Sequence, residues 1–116
     1  PVTKPDKVVV TYFHGDYRCH TCTVLEELSH TAIHKGFAEQ LKNGTVQWRV
    51  VNTDRDENKH FVADYQLYTK SLIVSALKDG NELRWVNLKK IWDHVDEPDV
   101  FISYVQTQVQ QMKDGH

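Results

Sequence analysis

The 116-residue chain holds two cysteines, Cys19 and Cys22, which together form a single C-x-x-C. Such a pair can act as a disulfide switch, as half of a zinc site, or as two inert core residues. Four-ligand zinc needs two further donors, and no second C-x-x-C stands near the motif. His30 and His34 are spaced i, i+4, but they fall two to three turns further along on a polar helix face, where they read as solvated surface. No metal site is therefore expected, although His14 or His20 could join the cysteines around a soft ion.

Redox exchange has the more specific physical basis. Cys19 falls where a loop hands over to a helix, so unpaired backbone N–H groups and the helix dipole favour its thiolate. Cys22 is one turn on, within reach of a disulfide and more shielded. Arg18 and protonated His20 add positive charge beside Cys19, which favours the reduced form and makes the disulfide more oxidising. Asp16 opposes this in part.

The apolar pattern supplies the elements that would position these residues. Residues 8–13, Val-Val-Val-Thr-Tyr-Phe, predict a short strand buried on both faces, and His14 to Arg18 a loop. From Cys19 the period becomes helical, with Cys22, Leu25, Leu28, Ala32 and Ile33 on one face. Phe37, Ala38 and Leu41 continue that stripe, and Asn43-Gly44 stops it. Val46–Val51 predicts a second strand, and Asp54 with Glu57 resembles a capping box opening a helix that buries Phe61, Val62 and Tyr65. Ser71–Leu77 and Glu82–Leu88 flank an Asp79-Gly80 hairpin turn. Asp96-Glu97-Pro98 opens a last helix, with Phe101, Tyr104, Val105, Gln108 and Met112 inward. The order is β-α-β-α-β-β-α, an α/β three-layer sandwich on a mixed four-stranded sheet, with the first three strands expected to run parallel.

Length predicts one domain over residues 1–116. With 40% hydrophobic and 26% charged residues, disorder is not expected. Fourteen basic against sixteen acidic residues give a net charge of −2, no electrostatic footprint for nucleic acid. The longest apolar runs are too short to span a bilayer. The chain starts at Pro1 without methionine, which suggests a processed or trimmed form.

A strand, then Cys19-His20-Thr21-Cys22 opening a helix, then β-α-β-β-α, resembles the thioredoxin fold across roughly residues 8–112. The resemblance implies Cys19 as nucleophile and Cys22 as resolving cysteine, and Lys78-Asp79-Gly80 matches the turn joining the last two thioredoxin strands. Three positions depart from that pattern. No proline lies between Pro5 and Pro98, so Thr69-Lys70-Ser71-Leu72 stands where thioredoxins place a cis-proline. Thr11 and Phe13 are nearest to the place of the buried thioredoxin aspartate, and Arg18 replaces the usual tryptophan. Arg18, His20, Lys70 and Thr69 are thus the neighbours expected to tune the cysteines; for Lys70, a plain surface lysine at a strand entrance is an equal expectation.

A closer resemblance rests on Tyr12-Phe13-His14-Gly15 leading to Arg18-Cys19, on Asp64 to Leu72, on Trp85-Val86-Asn87-Leu88 with Ile91-Trp92, and on Phe101 to Gln106. These segments resemble the nitrophenyl-compound nitroreductase subunit ArsF family, small thioredoxin-like, exported bacterial proteins. That resemblance implies the cell envelope or periplasm, with the cytoplasm as the alternative. No G-x-G-x-x-G supplies a flavin site, so no cofactor is expected and electrons would pass to or from a protein partner through Cys19 and Cys22. The leading expectation is a thiol–disulfide oxidoreductase, oxidant or isomerase rather than strong reductant, acting on a protein thiol or disulfide. Two alternatives stand beside it: a non-catalytic interaction or electron-relay subunit of a larger reductase, using Tyr65, Tyr68, Trp85 and Trp92, and a soft-metal carrier.

Overall fold

The computed structural model describes residues 4–115; residues 1–3, with the Pro1 start discussed above, and residue 116 lie outside the described residues. The strand β1 (Lys7–His14) is central, and its β-branched and aromatic run is buried from Val8 through Phe13. It is flanked by β2 (Val46–Asn52) and β3 (Ser71–Lys78), with β4 (Asn81–Asn87) outermost, in the order β2-β1-β3-β4. Strands β1 and β2 are parallel, with Val10 opposite Trp48. The third strand is antiparallel to β1, with Tyr12 opposite Leu72, which corrects the expected parallel crossover.

The cause lies in the connection. Strand β2 ends with Asn52 beside His14, and β3 begins with Ser71 beside Phe13, so the chain leaves and re-enters at one end of the sheet. Between them lie a 3₁₀ turn, Asp56–Asn58, and the five-residue helix α3 (His60–Asp64). At about 1.5 Å per residue that helix covers about 7.5 Å, too little to return along an eight-residue strand of about 26 Å. The Asp54–Glu57 capping box does not form either: α3 has no side-chain cap, and Asp54 Oδ2 accepts the Asp16 amide at 2.7 Å instead. Phe61 and Tyr65 are half-buried, whereas Val62 is exposed.

Helix α1 (His20–Gly36) and helix α4 (Pro98–Lys113) cover one face of the sheet. Their core joins Leu25, Ala32 and Ile33 to Phe101, Val105 and Val109 over Val8, Val10 and Tyr12. Gly36 lets α4 approach: a Cβ there would sit 2.8 Å from the Gln106 amide nitrogen, which donates to the Ala32 carbonyl at 3.0 Å. The helical stripe does not run on through Ala38. Phe37 leaves helical geometry at φ −134° and turns inward, and a separate short helix α2 (Ala38–Asn43) restarts with Ala38 exposed. Beneath α3, the opposite face is a smaller core of Phe13, Leu67 and Ile73 against Phe61, Tyr65 and Trp85. Asp79 and Gly80, at φ 53° and 82°, make the tight β3–β4 turn in which both central residues are left-handed.

Candidate active site at the start of helix α1

Cys19 is the N-cap of α1, with extended φ and ψ of −92° and 170°. Its sulfur accepts the Cys22 amide at 3.1 Å, so the cysteine takes the place of the usual hydroxyl or carboxylate cap. Cys19 and Cys22 form a disulfide, with Cα atoms 5.0 Å apart. Cys22 is 4% exposed and Cys19 is partly exposed, the expected asymmetry between an attackable and a shielded sulfur. No acidic residue occupies the first turn of α1. In the reduced state a Cys19 thiolate would keep both the amide donor and the positive helix end.

Tyr12 holds this turn from below. Its fully buried phenol donates to the Cys22 carbonyl at 2.8 Å, and its ring lies beside His14, 6.2 Å between centroids. Burial, aided by the Glu26 carboxylate and opposed by Arg18, pushes the phenol well above its ordinary range, so it stays a donor at any physiological pH.

The expected tuning residues are placed unequally. Arg18 forms an ion pair with Glu26, so its charge is shared with that carboxylate. His20 is exposed at the first position of α1. Lys70 sets its ammonium 5.2 Å from the centroid of the Tyr17 ring, two residues before Cys19, bringing the 69–70 segment to the approach loop. The Lys70 carbonyl accepts the Trp92 indole N–H at 3.1 Å, from a 3₁₀ segment (Lys89–His94). Thr69 accepts the Ser71 hydroxyl on its carbonyl at 2.9 Å and lines a cleft of ≈ 170 Å³ with Phe13, His14, Lys70 and Leu67. All peptide bonds of the described residues, those of this segment included, are trans.

His14 directs Nδ1 to the Gly15 carbonyl at 2.7 Å. Among the described residues no three His, Cys, Asp or Glu side chains gather where they could hold a metal ion, and no helix is long and apolar enough to cross a membrane. Four residues of the site escaped sequence reading: Tyr12, Glu26, Asp54 and Trp92 as a clamp. Alternation along β1 puts Tyr12 on the α1 face, a signal that could have found it; the others depend on contacts across long separations.

The sequence matches no protein-family model and no curated protein. Solved structures do resemble the fold. A thioredoxin of Malassezia sympodialis (Mala s 13) aligns over 97% of this chain and 80% of its own, at 20% identity and TM-score 0.55. A thioredoxin from Thermus thermophilus aligns over 91% and 76%, at 14% identity and TM-score 0.53. Oxidised mitochondrial thioredoxin 3 of Saccharomyces cerevisiae aligns over 90% and 81%, at 12% identity and TM-score 0.51. The chain therefore has a thioredoxin-like fold, with a C-x-x-C disulfide at the head of its first helix.

Proposed function

We propose that the chain works as a single thioredoxin-like domain over residues 1–116 and exchanges disulfides with protein thiols through Cys19 and Cys22. One observation carries it: Cys19 sulfur caps α1 on the Cys22 amide while Cys22 is buried beneath it. In the oxidising direction a substrate thiolate attacks Cys19 sulfur, the Cys19–Cys22 bond breaks, and Cys22 leaves as a thiolate that takes up a proton. A second substrate thiolate then attacks the substrate sulfur of the mixed disulfide, which releases Cys19 as a thiolate stabilised by the helix end. The pair is reduced by two electrons and the substrate dithiol is oxidised by two. In reverse, Cys19 attacks and Cys22 resolves.

Arg18, His20, Lys70 and Thr69 tune this pair, and their net positive charge makes the chain an oxidant or isomerase. The Glu26 carboxylate on Arg18 tempers that bias. Resemblance to the nitrophenyl-compound nitroreductase subunit ArsF family supports a place in the cell envelope and a redox partner that exchanges electrons with the pair. Tyr17 (73% exposed), two residues before Cys19, and Tyr68 (90%), which lines the cleft with Thr69 and Lys70, suit contact with that partner. Cys19→Ser is expected to abolish exchange, and Cys22→Ser to accumulate mixed disulfides that non-reducing gels resolve. Undiminished turnover in Cys19→Ser would remove the proposal.

A further inference from the structure

In the exchange cycle, Cys22 must lose its thiol proton each time it resolves a mixed disulfide on Cys19. Cys22 is buried, so water reaches that proton poorly. Thr11 and Phe13, on either side of Tyr12 in β1, carry no group that takes a proton from a thiol. The Tyr12 phenol is already a donor to the Cys22 carbonyl, and burial keeps it protonated. The first turn of α1 holds no acidic residue. His14, two residues on from Tyr12 in β1, is a half-buried imidazole with Nδ1 on the Gly15 carbonyl.

Glu26 is the carboxylate that helix geometry brings to this turn. It stands four residues after Cys22 on α1, a spacing at which Cβ atoms are about 5–6 Å apart. Helical side chains lean towards the N-terminus, so each covers the turn before its own. The ion pair with Arg18, the residue before Cys19, follows that direction and holds the carboxylate towards the start of α1. Glu26 and Arg18 also act electrostatically on the Tyr12 phenol, whose hydroxyl lies 2.8 Å from the Cys22 carbonyl. The Glu26 side chain is 26% exposed, so a proton taken there can pass on to solvent.

We infer that Glu26 is the proton acceptor for Cys22, a role that rests on the disulfide exchange proposed above. With a substrate held on Cys19 as a mixed disulfide, the Cys22 thiol gives its proton to the Glu26 carboxylate, directly or through one water. The Cys22 sulfur attacks the Cys19 sulfur, the bond from Cys19 to the substrate sulfur breaks, and the substrate leaves as a thiolate. Glu26 then releases the proton to solvent. Across formation and resolution of the mixed disulfide, the cysteine pair is oxidised by two electrons and the substrate disulfide is reduced by two. Arg18 is a positioning residue, since it holds the carboxylate and touches no reacting atom.

The test is the stopped-flow reaction of the reduced full chain with the aromatic disulfide DTNB. Release of the first thionitrobenzoate reports attack by Cys19 and quickens with DTNB concentration. Release of the second reports attack by Cys22 on the mixed disulfide and is independent of that concentration. Glu26→Gln is expected to slow the second phase by about 100-fold at neutral pH, the lower end of what a positioned acid or base supplies. The first phase should not slow, because Arg18 is then unpaired. The deficit should shrink as rising pH ionises the Cys22 thiol unaided, whereas a displaced Cys22 would stay slow at every pH. Glu26→Asp should recover part of the rate. The double variant Arg18→Ala, Glu26→Gln should stay slow, which separates a lost acceptor from a newly unpaired guanidinium. Glu27→Gln, one residue on and exposed, should change neither phase. A normal second phase in Glu26→Gln, or one slowed by His14→Gln instead, would overturn the role of Glu26 and leave the exchange reading standing. No second release from the unaltered protein would overturn both.

Discussion

Tyr12 donates its phenolic proton to the Cys22 carbonyl at 2.8 Å, tying the middle of the central strand to the first turn of the helix that carries the disulfide. The bond is fully buried at its donor, where a hydroxyl without a partner would be costly. Tyr12→Phe removes donor and hydroxyl together, and the Cys22 carbonyl still has the helical ladder. A loss of about 1 kcal/mol is expected, read as a lower urea midpoint at unchanged slope. An unchanged midpoint would show that the bond contributes nothing.

On the proposed redox role, the Arg18–Glu26 pair would set how much cationic charge reaches Cys19. Both side chains are partly exposed, so the pair is worth no more than about 1 kcal/mol. Glu26→Gln removes the competing carboxylate and should raise the reduction potential of the disulfide by up to about 20 mV. Arg18→Ala should lower it. Opposite signs from the two variants are the diagnostic result, measured by equilibration with glutathione.

The approach loop depends on a carboxylate. A Cβ on Gly15 would lie 2.7 Å from Asp54 Oδ2, the atom that accepts the Asp16 amide. Gly15→Ala should push that side chain aside and cost about 1 kcal/mol through the lost hydrogen bond, and Asp54→Ala should cost a similar amount. If the two act through one bond, the double variant will be less destabilised than the sum of the singles in urea unfolding.

Tyr65 gives stability a limit at alkaline pH. Burial, then its hydrogen bond to Glu82 and that carboxylate's charge, raise its pKa from 10.0 to about 12, against a smaller opposing effect of Arg49. Because the folded pKa is the higher one, this contribution is fully present below pH 10.0 and is lost as pH rises towards about 12. Tyr12 and Tyr104, also raised, act in the same direction. Tyr65→Phe should therefore show a shallower fall in melting temperature across that window, without abolishing it.

Much of this was legible because local signals and tertiary needs agreed. The run from Val8 to Phe13 could only be a buried strand, and the change of period at Cys19 located the helix start to within a residue. The Asp79-Gly80 turn was equally plain, since its left-handed pair admits few residue types. The direction of β3 was misread because a helical pattern between strands says nothing about helix length, and five residues do not make a crossover. Asp54 and Glu57 had the spacing of a capping box, but a carboxylate takes whichever amide the fold brings nearest, and here that is Asp16. Arg18 and Glu26 lie eight residues apart, outside the i, i+4 rule, so the carboxylate partner of Arg18 had no local signature. His30 and His34 read as solvated surface and are exposed, while the packing of Trp48 beside them, across from β2, had no local signature.

The most direct test of the central claim is the equilibrium of the Cys19–Cys22 pair against defined ratios of reduced and oxidised glutathione, read by alkylation and mass. Reversible interconversion with a midpoint above about −230 mV, more oxidising than thioredoxin at about −270 mV, is the predicted result. A pair that does not interconvert at any ratio would contradict it, and would leave a thioredoxin-like scaffold whose work is binding.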